Sequence, residues 1–205
     1  MTTFQNIVES LPTAVAIVDF HDACLAEPGW TASAARHAGI WQWIEANHRF
    51  NACLWDEEDL ARRRQVPDSD IAANKRAIDG FNQRRNDATE RIDDLILHSL
   101  AGQMREDARL HSETAGMMID RLSILALKIA AMRRQTLRMD VEAAHIAVCR
   151  SKLDQLVLQR ADLADCLDRL LSDCAAGHAR YKIYRQFKMY NDPALNPALV
   201  SEQQS

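Results

Sequence analysis

Residues 48–90 read HRFNACLWDEEDLARRRQVPDSDIAANKRAIDGFNQRRNDATE, and the phasing of this stretch decides the fold of the chain. Val66-Pro67-Asp68 divides it into two helical halves, because proline removes a backbone donor and Asp68 or Ser69 can cap a new helix. Taken in steps of three and four, and extended back to Trp41, the inward stripe of the first half runs Trp41, Ile44, His48, Asn51, Trp55, Glu58 and Arg62. That of the second half runs Ile71, Lys75, Ile78, Asn82, Arg85, Thr89, Ile92 and Ile96. Both stripes have the helical period, and both turn polar where an ordinary amphipathic helix would carry Leu and Ile. Asp79, Asn86 and Glu90 widen the polar patch on the second half.

Working outward, Thr13 behind Pro12 opens a first helix over 13–27, which Pro28-Gly29 ends. Thr31 or Ser33 then opens a second helix that bends at Gly39 and runs to about Arg64, and a third runs from 68 to about 100, where Ala101-Gly102 stops it. Residues 114–138, with MMIDRLSILALKIAAM at their apolar centre, read as a buried fourth helix. Asp140 is the next N-cap candidate, and a fifth helix over 141–175 repeats Val141, Val148, Leu156, Leu163, Leu167 and Leu170 at helical steps. After about Tyr190 the chain turns to Pro and Asn and reads as an extended arm. The expectation is all-α: one domain over 1–205, a bundle of about five helices with an extended C-terminal arm, flexible at 1–12 and 200–205.

Composition narrows the partners. Net charge is −4, with basic and acidic residues interleaved, so no nucleic acid is expected. No window reaches the roughly 20 apolar residues of a membrane span. The N-terminus lacks the basic start of a signal peptide, and the expected location is cytoplasmic. Five widely spaced cysteines form neither a CxxC pair nor a disulfide framework and read as reduced, buried thiols.

The runs HRFNACLWDEEDLAR (48–62), KRAIDGFNQRRND (75–87), ETAGMMIDRLSILALKI (113–129) and KMYNDPALNPAL (188–199) resemble the signature segments of a bacterial domain family of unknown function. That family is known by its Arg-Asn-Asp motif, here Arg85-Asn86-Asp87, and the resemblance extends from about Phe20 to Leu199. It implies a bacterial protein with a single domain of roughly this size, without mechanism, cofactor or substrate. It also draws the C-terminal arm into the candidate site.

Lys, Asn and Arg in an inward stripe carry a desolvation cost unless they are paired or meet water or a ligand. Two adjacent helices that turn polar at one level therefore predict a shared pocket, to which Glu113 and Asp120 of the fourth helix add. Arg62, Lys75 and Arg85, with Asn51, Asn82 and Asn86, are suited to a small anion such as a nucleotide or sugar phosphate. Lys188 and Asn191 of the arm are candidates to cover it. Glu58, Asp79, Glu90, Asp120 and His48 are the acid–base candidates, and Glu58, Glu90 and Asp120 the candidates to hold Mg²⁺. The ExxD spacing of all-α nucleotide pyrophosphohydrolases occurs here only as Glu90-Arg91-Ile92-Asp93. A di-iron carboxylate centre, a Gly-rich phosphate loop and a nucleophile elbow are not expected. The rival expectation is a helical assembly protein, a homodimer through helix five, in which the polar stripe is a structural or partner-specific network.

Overall fold

The structure is a computed structural model that describes residues 11–185 and 194–202. Its five long helices are α1 (Ala14–Ala26), α2 (Gly39–Leu60), α3 (Asp68–Ser99), α4 (Ala115–Thr136) and α5 (Ala143–Ala175). The all-α expectation holds. α2 packs along α3 and α4 along α5, each pair joined by a short connection, and α1 lies against α4 and α5. Ile17, Ile44, Ile92, Ile96, Ile119, Leu122 and Leu167, each fully buried, form the common core. Burying each contributes about 1.5–3 kcal/mol.

The helix ends show which local signals were decisive. Thr13 caps α1 as expected, its hydroxyl accepting from the Ala16 N–H at 3.3 Å, while Asp168 of α5 accepts from the Ala14 N–H at 2.8 Å. Thr114 caps α4 in the same way. Three expectations are corrected. Pro67, not Asp68 or Ser69, is the cap position of α3, and no side chain bonds there; proline's fixed φ suits the entry to the first turn. Asp140 does not cap α5; it pairs with Arg138 at 2.7 Å, and Glu142 takes the cap position. Gly39 does not bend α2 but begins it, at φ 59°.

Residues 30–38 are kept out of α2 by one side chain. Arg49, from the third turn of α2, donates to the carbonyls of Trp30, Thr31 and Ser33 at 2.6, 2.6 and 2.9 Å and lies over the Trp30 ring. Carbonyls gathered on a guanidinium are not available to a helical ladder, so Trp30–Ala32 form only a short 3-10 turn. Arg49 is held in turn by the buried carboxylate of Glu45 at 2.6 Å, which also takes His37 and the Arg36 N–H. Burial works against that charge, but His37, the Arg36 amide and Arg49 outweigh it and hold the carboxyl below its ordinary range.

Two elements were not foreseen. Arg109–Leu110 (β1) and Ala179–Arg180 (β2) make a two-residue parallel pair that ties the α3–α4 connection to the end of α5. Part of the expected extended arm is helical, Pro197–Glu202 (α6). α5 is 33 residues long, about 50 Å, yet between Ala143 and Asp162 only Cys149 is buried. Val148 and Leu158 are more than half exposed there, and Cys166, expected to be buried, lies at the surface. The described cysteines are all free thiols.

Candidate functional site

The polar middle of α2 is buried. Asn47, His48 and Asn51 face inward beside Ile44, and the groups that meet them come from two other helices. The Asn47 amide donates to Thr89 Oγ1 of α3 at 3.1 Å and to Asp120 Oδ1 of α4 at 2.8 Å. The Asn51 amide donates to the same Asp120 oxygen at 2.9 Å and to Ser123 Oγ at 3.0 Å. Ser123 Oγ lies 2.7 Å from His48 Nδ1. Asp120 is thus the acceptor on which the three helices converge. Arg85 Nε stands 3.9 Å from Asp120, buried and without a hydrogen-bond partner, and the guanidinium reaches Asn86 Oδ1 at 3.5 Å.

Behind this network lies a stack of rings. The His48 ring packs on Trp30 at 4.9 Å, nearly parallel, and on His21 of α1 at 4.3 Å. Both imidazoles are fully buried, and His48 Nε2 and both nitrogens of His21 have no hydrogen-bond partner. Burial holds His48 down to about 4; burial, then His48 and Arg160, hold His21 well below the ordinary histidine value. His48 is therefore a neutral core imidazole and not a group at the wall of a pocket.

In front of the network is a cavity of about 430 Å³, within the roughly 300–1,000 Å³ of small-molecule sites. α2 gives it Asn51, Leu54, Trp55, Glu58 and Asp59, the turn after α2 gives Arg62, α3 gives Arg85, and α4 gives Ile124 and Leu127. Four of the candidate residues named in the sequence (Asn51, Glu58, Arg62 and Arg85) thus meet around one space. Arg62 pairs with Glu58 at 2.9 Å, an exposed pair across one turn.

Other candidates lie elsewhere. Lys75 and Asp79 form an exposed ion pair with each other and do not reach the cavity, because the inward arc of α3 passes between them at Ile78. Asn82 is half-buried on α3 but does not line the cavity. Glu113 precedes α4 and pairs with Arg121 at 2.7 Å. Asn86 and Glu90 line a separate cavity of about 200 Å³ with Thr89, Asp93, Thr114 and Lys182. Glu90 is engaged there by Arg185. Lys188 and Asn191 lie outside the described residues.

Glu58, Glu90 and Asp120, the metal candidates, stand in three different surroundings, and among the described residues no three His, Cys, Asp or Glu side chains are grouped to hold a metal ion. The ExxD pair of Glu90 and Asp93 is likewise committed: Asp93 accepts from the Thr114 hydroxyl at 2.5 Å and the Gly116 N–H at 2.7 Å. Burial pushes its carboxyl up to about 6 against those two bonds. Glu-x-x-His, the spacing of di-iron bundles, occurs as Glu45…His48 and Glu142…His145. Glu45 is spent on Arg49, and His145 contacts Cys149 on the exposed half of α5, so the two pairs do not combine.

Sequence reading missed Asn47, Ser123 and Glu45, and met Asp93 only as the end of the ExxD spacing. Each lies beside a foreseen inward position, and a buried helical arc is wider than a single stripe. Asn47, which stands four residues before Asn51, carried a signal that could have been read.

Fold and site together define a helical bundle whose three central helices share a buried Asn–Asp–Ser–His network opening onto a cavity that two arginines line. The DUF4254 family, described as proteins of unknown function, matches residues 41–183, and the chain belongs to it. No curated protein and no solved structure matches the chain. The family match covers every residue of the network apart from His21 and Trp30. No described helix is long and apolar enough to cross a membrane.

Proposed function

We propose that the chain binds a small organic anion, a nucleotide or a sugar phosphate, in the cavity between α2, α3 and α4. The observation that carries this reading is Arg85: its guanidinium lines the cavity, yet its Nε is buried without a hydrogen-bond partner, with Asp120 at the ion-pair distance of 3.9 Å. A buried donor without an acceptor costs about 1–3 kcal/mol; the protein thus leaves this guanidinium short of acceptors, and its edge on the cavity is where a phosphate or carboxylate oxygen would meet it. Arg62 supplies a second guanidinium on the same wall and Asn51 an amide, while Leu54, Trp55, Ile124 and Leu127 offer apolar contact to the rest of the ligand. Were Mg²⁺ to accompany the phosphate, Glu58 and Asp59 are the cavity carboxylates that would stand beside it. The reading is one of binding; no reaction is assigned.

A thermal-shift screen of nucleotides and sugar phosphates, with and without Mg²⁺, tests it. A binder present at 100 times its dissociation constant adds about 2.7 kcal/mol of stability, and Arg85→Ala removes that gain without unfolding the protein. No shift anywhere in the library sinks the reading.

A second reading, assembly, is favoured by the exposed half of α5 and the turn before it: Leu137 is 76% exposed, Met139 97% and Leu158 62%. Light scattering decides it. A homodimer doubles the 23.2 kDa mass of the chain, whereas a monomer at all concentrations argues against assembly.

A further inference from the structure

The proposed anion cavity has a neighbour. Glu27, Trp30, Thr31, Asp56 and Arg134 border a second cavity of about 290 Å³, and Trp55 and Leu127 belong to the walls of both. The α4 lining residues climb from Ile124 through Leu127 and Ala130 to Arg134 at helical steps, so the two cavities lie end to end along about 15 Å of helix.

Their chemistry differs. The first offers the guanidinium and amide donors of Arg85, Arg62 and Asn51 to an anion, with Glu58 held by Arg62 and Asp59 exposed beside it. The far one mixes acceptors and donors: burial and then Asp59 push the Asp56 carboxyl up while Arg134 opposes them, and Glu27 is already held by Arg36 at 2.7 Å. With Glu27 and Asp56 against Arg36 and Arg134, that end has no excess of positive charge to hold a second anion. It matches hydroxyl groups, which donate to carboxylates and accept from a guanidinium. Between the ends lies the indole of Trp55, flat and apolar with one polar edge, against which the C–H face of a pyranose packs. A nucleoside phosphate also has a flat group for Trp55, but its base presents few hydroxyls to Asp56 and Arg134.

Resting on the small-anion reading, we propose that the ligand is an anionic carbohydrate: a sugar phosphate with its phosphate at Arg85 and Arg62 and its hydroxylated body reaching across Trp55 to Asp56 and Arg134.

Calorimetric titration of the full chain with orthophosphate, glucose 6-phosphate, maltose 1-phosphate and AMP tests this. The sugar phosphates should bind at least about tenfold more tightly than orthophosphate, the effect of one or two added hydrogen bonds. Asp56→Ala and Arg134→Ala should each weaken the sugar phosphates about tenfold and leave orthophosphate unchanged, while Arg85→Ala weakens all. Asp56 is exposed, so its replacement leaves the core intact. If Arg85→Ala abolishes binding but Asp56→Ala and Arg134→Ala do nothing, the carbohydrate inference falls and the small-anion reading stands. AMP binding more tightly than either sugar phosphate has the same consequence, as does equal binding of sugar phosphates and orthophosphate. No binding of any of the four overturns both.

Discussion

At Gly116 the closeness of two helices depends on one hydrogen atom. A Cβ built there would lie 2.6 Å from the Thr89 carbonyl oxygen and 2.8 Å from the Asp93 carboxyl group, backbone and a buried clamp that have little room to yield. Gly116→Ala should therefore destabilise the protein by about 1–3 kcal/mol, the usual cost of overpacking, read as a lower urea midpoint with an unchanged slope. Asp120 makes a second contrast. Asp120→Ala leaves the amides of Asn47 and Asn51 without their shared acceptor and should cost at least about 1–3 kcal/mol. Lys75→Ala removes one side of an exposed pair and should change stability by less than about 0.5 kcal/mol. Equal effects of the two would mean that the Asp120 network is not a structural centre. The sequence exposed Asn51, Arg85 and Asp120 because polar residues interrupted an apolar period. It misplaced Lys75 because a stripe drawn in steps of three and four drifts over several turns, and only the packing of Ile78 shows where the face lies.

Among the helices, α4 shows how an end is fixed from outside itself. Thr114 accepts from the Met117 N–H and donates to Asp93, while Asp93 takes the Gly116 N–H, so two free amides of the first turn are satisfied by α3 as much as by the local cap. Thr114→Ala should cost about 1–2 kcal/mol and Thr114→Ser should recover most of it; equal losses for both would show that the methyl packing, not the hydroxyl, matters. This arrangement explains what was legible. α1 and α3 began close to where Thr13 and Pro67 pointed, because those residues act on their own neighbours in the chain. The start of α2 was not legible, since Arg49 acts on carbonyls 16 to 19 residues away. The role of Asp93 was missed for the same reason: its partners are 21 and 23 residues further on.

For the whole molecule, the buried titratable groups set the response to acid. In the unfolded chain both imidazoles take up a proton near pH 6.5, but in the folded chain His48 does so only at about 4 and His21 lies well below its ordinary value. Between those limits the folded state binds fewer protons, so the stability they contribute is complete above pH 6.5 and is lost as pH falls toward 4. Asp93 acts in the opposite sense: held at about 6 instead of 3.8, it is protonated first in the folded state, and acidification through pH 6 favours folding. At about 1.4 kcal/mol per pH unit, His48 and Asp93 nearly offset each other, which leaves His21 to set the net fall. The urea midpoint should drop between pH 6.5 and 4, and more steeply in Asp93→Asn. A midpoint that rises across this window, or an unchanged slope in the variant, contradicts the assignment.

Arg49 has a consequence for the order in which the molecule forms. The turn at Trp30–Ala32 owes its shape to a guanidinium that is in place only once α2 has made its third turn and Glu45 faces inward. That turn supplies Trp30, one ring of the buried stack and one wall of the second cavity. Closing it should therefore follow the formation of α2, which the folding and unfolding rates of Arg49→Ala check. Weakening the Arg49 clasp should hasten unfolding while hardly slowing folding, and with it loosen the Trp30 wall of the second cavity.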